Sequence, residues 1–268
     1  MVEAFRFQPG WEYNGDRIAA ANNAMAAAGL TVQFDADRPQ LKGWWSKRKS
    51  LGITKVLAQD SECKVLGKWR DTNIQFRGTC VEQGHSRGFE DTHTARVASR
   101  SIVGVYTLIA GEVAYAAERR EHFGSTHKWG CTCQNCPDGL MGADLASFYS
   151  IHGVLARRVY KLKDGTTVDL SKPREDLAIT WNNEGVPAEL IDASGEHKAI
   201  AHSSPSWEDY SDAVASEHYG AICLPKIFTG TKKDKFGCCE PDGSGGHCTE
   251  CCGVLALPTG ETAFVIQQ

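Results

Sequence analysis

The sequence predicts an α+β protein, with helices concentrated in its first two thirds and antiparallel strands at its end. Three observations carry that expectation. Helix-compatible runs cover about 80–100, 102–120 and 143–152. A strand pair closes the sequence, 247–257 and 262–267, joined by Pro258-Thr259-Gly260-Glu261. Between them, Asp164-Gly165 marks a hairpin turn in 162–168.

Taken in order, residues 1–72 read as an N-terminal extension or small accessory unit. Asn14-Gly15-Asp16 is a turn with Asp16 as N-cap for an Ala-rich helix that Gly29 stops. Leu41-Lys42-Gly43-Trp44-Trp45-Ser46-Lys47-Arg48-Lys49 is either a contact surface for a partner or an acidic polymer, or a packed Trp pair beside a solvated basic face. In the helix from Cys80, Gly84 and Gly88 each cost about 1 kcal/mol relative to Ala. They lie at i, i+3 and i+4 intervals with Val81 and His85, so another element can approach that face closely. His85 and His93 read as packing or surface residues. Ser206-Trp207-Glu208-Asp209 has the form of a capping box for a helix over 207–219, with Trp207, Tyr210 and Val214 as its apolar face. Gly220 ends that helix, and Ala221-Ile222-Cys223-Leu224 reads as a buried strand.

Composition narrows the function classes. A formal net charge of −4 over 268 residues leaves no positive surplus for general phosphate binding, so no nucleic-acid partner is expected. The longest apolar stretch, 101–117, is broken by Gly104, Gly111 and Glu112, and no membrane span is expected. The start, Met1-Val2-Glu3-Ala4-Phe5-Arg6, lacks the pattern of a signal peptide. The expected location is therefore the cytoplasm of the producing cell, with incorporation into a released particle as one outcome. Eleven cysteines without a secretion signal point to metal ligation, catalysis or a final environment outside the cell.

The chemistry-bearing stretch is Gln75 to Gly84, taken with Gly245-Gly246-His247-Cys248. Cys80 follows a Gly-Thr turn and opens a helix, where unpaired N–H groups and the dipole favour a thiolate. His247 opens a strand far away in sequence and can take that proton. The other reading is that Cys80 is a small buried hydrophobe and His247 a loop residue. Cys131-x-Cys133-x-x-Cys136, with Cys239, is an alternative structural zinc set; disulfides, free thiols and a redox role remain open beside it. Along a strand from 247, alternation puts Cys248 and Cys252 on one face and His247 and Cys251 on the other.

Five motifs occur in a suggestive order: Gly78-Thr79-Cys80-Val81, Asp138-Gly139, Ile151-His152-Gly153-Val154-Leu155, Gly185-Val186-Pro187-Ala188-Glu189-Leu190, and Gly246-His247 followed by Gly253-Val254. The set resembles the papain-like cysteine peptidases, in particular the divergent ones of phages and mobile elements. The resemblance implies a papain-like domain over 73–268, whose helical part carries the Cys and whose antiparallel part carries the His. It implies Cys80 as nucleophile, His247 as base, Gln75 as the oxyanion-stabilising amide and Gln268 in the orienting position. The implied activity is hydrolysis of an amide in a protein or peptide substrate, without a cofactor. The alternative is a virion structural or assembly protein that keeps the fold, is stabilised by disulfides and binds other virion proteins.

Overall fold

The computed structural model describes residues 42–70, 79–99, 108–123, 139–140, 142–199, 204, 206–224, 230–240, 243 and 246–267. Their elements in chain order are α1 (Trp44–Ser50), β1 (Lys55–Leu57), α2 (Ala58–Leu66), α3 (Cys80–Ala98), α4 (Glu112–Phe123) and α5 (Gly142–His152). There follow β2 (Val159–Lys161), β3 (Thr167–Asp169), α6 (Glu175–Glu184), α7 (Ala188–Ser194) and α8 (Trp207–Ala215). The strands β4 (Gly220–Leu224), β5 (His247–Ala256) and β6 (Thr262–Gln267) complete the order. The protein is a mixed α+β molecule with small antiparallel sheets.

Strand β5 organises the larger sheet. One of its edges pairs with β4 along 247–251 and with β1 along 253–255, and the other edge pairs with β6. The register against β6 shifts between Cys251 and Gly253. Gly253 sits where β1 crosses closely, since a Cβ there would fall 2.6 Å from the Val56 carbonyl oxygen. The 19-residue helix α3 lies on β4 and β5. Its small face permits this: a Cβ on Gly88 would meet Gly220 Cα at 2.7 Å, and one on Gly84 would meet the Thr249 carbonyl carbon at 3.3 Å.

Two apolar clusters flank this layer. One joins Cys80, Val81 and Cys248 to the helices α4, α5, α6 and α7 and the β2–β3 hairpin, through Val113, Tyr115, Leu145, Tyr160, Trp181 and Leu190. The other gathers Trp45, Val56, Ala95, Val214, Ile222, Cys251 and Val254. Trp45 is buried, and its indole N–H donates to Thr262 Oγ1 at 2.9 Å. Lys47 and Arg48 lie over the Trp44 ring. Within 42–70, then, α2 packs on α3 and β1 extends the sheet.

Two boundaries differ from the sequence expectation. The helix expected over 102–120 begins only at Glu112 among the described residues, because Ile109 bridges to Ala156 and the chain turns at Gly111. The helix expected over 207–219 ends at Ala215; Glu217 adopts φ 65° and the chain turns into β4. Its start is as expected, with the Asp209 N–H donating to Ser206 Oγ at 3.1 Å. The turn and helix expected near Asp16 lie outside the described residues.

Candidate functional site

The start of α3 is where helix, sheet and thiols converge. Thr79 precedes the helix without capping it through its side chain; its hydroxyl donates instead to Glu175 Oε1 at 3.0 Å. The first-turn N–H groups are thereby left available to other acceptors. Cys80 is 7% exposed and lies in the apolar cluster with Cys248. Burial pushes its thiol up to about 11, against N–H groups of Cys248, Val81 and Cys80 itself that point at the sulfur and favour its charged form. The neighbouring Cys223 thiol adds to the rise. Burial wins, and at neutral pH Cys80 is a thiol rather than a thiolate.

The sheet supplies the other half. Cys223 on β4 and Cys248 on β5 are register partners, and their side chains interact. The Cys248 thiol is pushed well up by burial, then by Cys223 and Cys80. His85, one and a half turns along α3, also belongs to this group. Its Nδ1 lies 2.8 Å from the Val81 carbonyl oxygen, which can only accept, so Nδ1 carries the proton. Burial lowers the ring's pKa, leaving it neutral with Nε2 as an acceptor. A Cβ on Gly142 would touch both the Cys223 sulfur at 2.7 Å and His85 Cε1 at 3.2 Å, so thiol and imidazole flank the start of α5 together.

His247 opens β5, half-buried, opposite Leu224. Burial lowers its pKa as well, so its ring is neutral at pH 7 and able to accept a proton. The structure brings its backbone to the Cys80 sulfur within one residue, through the Cys248 N–H. Side chains alternate along a strand, so the 247 and 248 side chains leave β5 on opposite faces. The alternation read from sequence continues inward, with Cys248 against Cys80 and Cys251 beside Tyr210. Gln75, Gln268, Cys131, Cys133 and Cys136 lie outside the described residues. Cys239 is exposed, on an irregular segment where it bridges to Lys233. Among the described residues no group of three or more His, Cys, Asp or Glu side chains is arranged to hold a metal ion.

A carboxylate group stands on the far side of the helix start. Glu82, buried in the first turn, has its carboxyl held well above the usual range by burial and then by Glu112. Glu112 Oε1 accepts from Arg157 at 3.0 Å and from the Arg174 N–H at 2.6 Å. Tyr149 and Ser86 hydroxyls meet at 3.1 Å beside them. Sequence reading missed Glu82, His85 and Cys223 as members of the site. No local signal marked them: Cys80 and His85 are five residues apart, which is not a facing interval on a helix, and the strands that carry Cys223 and Cys248 are separated by residues 225–246. No helix among the described residues is long and apolar enough to cross a membrane. No protein-family model and no curated protein matches the chain.

Proposed function

We propose that the chain is a papain-like cysteine peptidase or amidase, with Cys80 as nucleophile and His247 as general base. One observation carries the reading: the cysteine that opens the long helix has its sulfur at the backbone of the residue following the histidine that opens the central strand. In this scheme the His247 ring, which strand alternation directs away from the face Cys248 shares with Cys80, turns at the first position of β5 to reach the sulfur. The neutral imidazole takes the proton of the neutral thiol as sulfur attacks the carbonyl carbon of an amide. The Cys80 N–H, with Gln75, stabilises the oxyanion. His247, oriented by Gln268, returns the proton to the departing amine, leaving a thioester that water then hydrolyses. The substrate class is an amide or isopeptide bond in a protein or a peptidoglycan peptide.

The test is labelling with a thiol-directed peptidyl electrophile followed by peptide mapping. Selective modification of Cys80, abolished in Cys80→Ala and strongly slowed in His247→Ala, supports the enzyme. Slow modification spread over many cysteines contradicts it. That outcome supports the second reading, a virion structural or assembly protein with the same fold and no turnover. Two observations favour this second reading: the burial that keeps the Cys80 thiol protonated up to about 11, and the alternation along β5 that turns Cys248 rather than His247 toward Cys80.

A further inference from the structure

Cys223 and Cys248 face each other in direct register across the β4–β5 ladder. Side chains so placed share a face, with Cβ atoms about 4.5–5.5 Å apart. A disulfide requires a Cβ separation of about 3.5–4.5 Å, so a small closing movement is sufficient. The two differ in access: Cys223 is half-buried, while Cys248 is 3% exposed. An entry thiol and a resolving thiol are thus distinguished by position. A base stands ready beside the entry thiol, since His85 presents an unprotonated Nε2 and its ring shares the Gly142 surface with the Cys223 sulfur.

We infer that Cys223 and Cys248 form a reversible redox pair, closed into a cross-strand disulfide by exchange with a low-molecular-weight disulfide of the glutathione type. His85 accepts the Cys223 proton, and the thiolate attacks one sulfur of the small disulfide. That S–S bond breaks, a mixed disulfide forms on Cys223, and one small thiolate leaves. Cys248 attacks the Cys223 sulfur and its proton passes to the departing small thiolate, as the proton held by His85 passes to the first one. The mixed bond breaks, the second small thiol departs, and the bridge is complete. Two protein thiols are oxidised to one disulfide while one small disulfide is reduced to two thiols. The exchange does not depend on Cys80 turning over a substrate.

The experiment treats the full chain with oxidised glutathione, blocks remaining thiols by alkylation, and maps peptides without reduction. The expected result is a Cys223–Cys248 linked peptide, lost on treatment with dithiothreitol. Cys248→Ser should leave a stable glutathione adduct on Cys223, and Cys223→Ser should leave Cys248 free. Exposed Cys63 serves as the internal reference for oxidant reaching the protein. Glutathione on Cys63 with Cys223 and Cys248 both recovered as free thiols overturns the inference. So does a bridge joining either of them to a different cysteine.

Discussion

The two halves of α3 bury polar chemistry against the same sheet in opposite ways. The first half sets neutral, soft groups side by side: the Cys80, Cys223 and Cys248 thiols and the His85 ring. The second half buries charge. Arg87, Glu90 and Asp91 of the helix meet Glu62 of α2, Arg70 and Glu250 of β5, four carboxylates against two guanidiniums. Arg70 donates to Glu62 and to Glu90 (2.7 Å) and Asp91 (3.0 Å), while Arg87 reaches Glu62 at 3.1 Å and stacks on Trp69. Burial pushes the Glu62 carboxyl up, but the Arg70 N–H and both guanidiniums bring it below the ordinary range. Burial dominates at Glu90, Asp91 and Glu250, whose carboxyls are raised. Asp91 Oδ2 and both Glu250 oxygens lack a hydrogen-bond donor, and the raised Glu250 carboxyl, which neighbours Asp91, favours its protonated form there. The comparison teaches that the charged half is fixed by mutual pairing, whereas the thiol half can exchange protons and bonds without leaving an unpaired charge.

Breaking the charged half should have the largest effect. Arg87→Met strands Glu62 and Asp91 without one of their two cations, and removing one partner of a buried pair costs about 3–5 kcal/mol. A loss of unfolding free energy below about 1 kcal/mol in urea denaturation would show that the network is not a unit. Next comes the seam between helix and strand. Gly88→Ala forces a methyl to 2.7 Å from Gly220 Cα, an overpacking cost of about 1–3 kcal/mol. In Gly84→Ala the contacts are 3.3–3.5 Å and the gain in helix propensity, about 1 kcal/mol, offsets them. Denaturation of the two variants side by side should therefore separate them, with Gly84→Ala near neutral.

A third test uses pH. The Glu250 carboxyl is raised in the folded state, so the folded protein binds more protons than the unfolded chain above the unfolded pKa of about 4.3. Its contribution to stability is full below that value and is lost as pH rises through the folded pKa. Glu250→Gln keeps the shape and removes the titration. The variant's stability relative to the wild type should rise with pH above about 4.3, by about 1.4 kcal/mol for each unit of raised pKa. A difference independent of pH would mean that Glu250 is ionised in the folded protein. A smaller effect than that of Arg87→Met is expected at the thiol half, where Cys80→Ala loses one buried group of roughly methylene size, about 1 kcal/mol of unfolding free energy.

The helix start and close-packed face of the thiol half were legible in the sequence, whereas its Cys223 and His85 and nearly all of the charged half were not. Cys80 announces a helix start through Gly78-Thr79, and Gly84 with Gly88 announces a close neighbour; both follow from local rules of backbone and spacing. The closing strands and the Asp164-Gly165 hairpin were likewise local. Glu62, Arg70, Arg87 and Glu250 carry no period or motif that pairs them, since their attraction depends on tertiary placement alone. For the same reason β1, three residues long, gave no strand signal before β5 supplied its partner. The helix expected over 102–120 does not run through 108–111 because Leu108, Ile109 and Ala110 pair with residues 155–157 instead.

The central claim is that the Cys80 proton passes to His247. The direct measurement is the pH dependence of Cys80 inactivation by a peptidyl electrophile, in the wild type and in His247→Ala. The account predicts a wild-type rate that rises as an imidazole with a pKa below its ordinary value loses its proton, then holds level. In His247→Ala the rate should climb only as the pH approaches the thiol's own value of about 11. Superimposable profiles for the two proteins would contradict the claim.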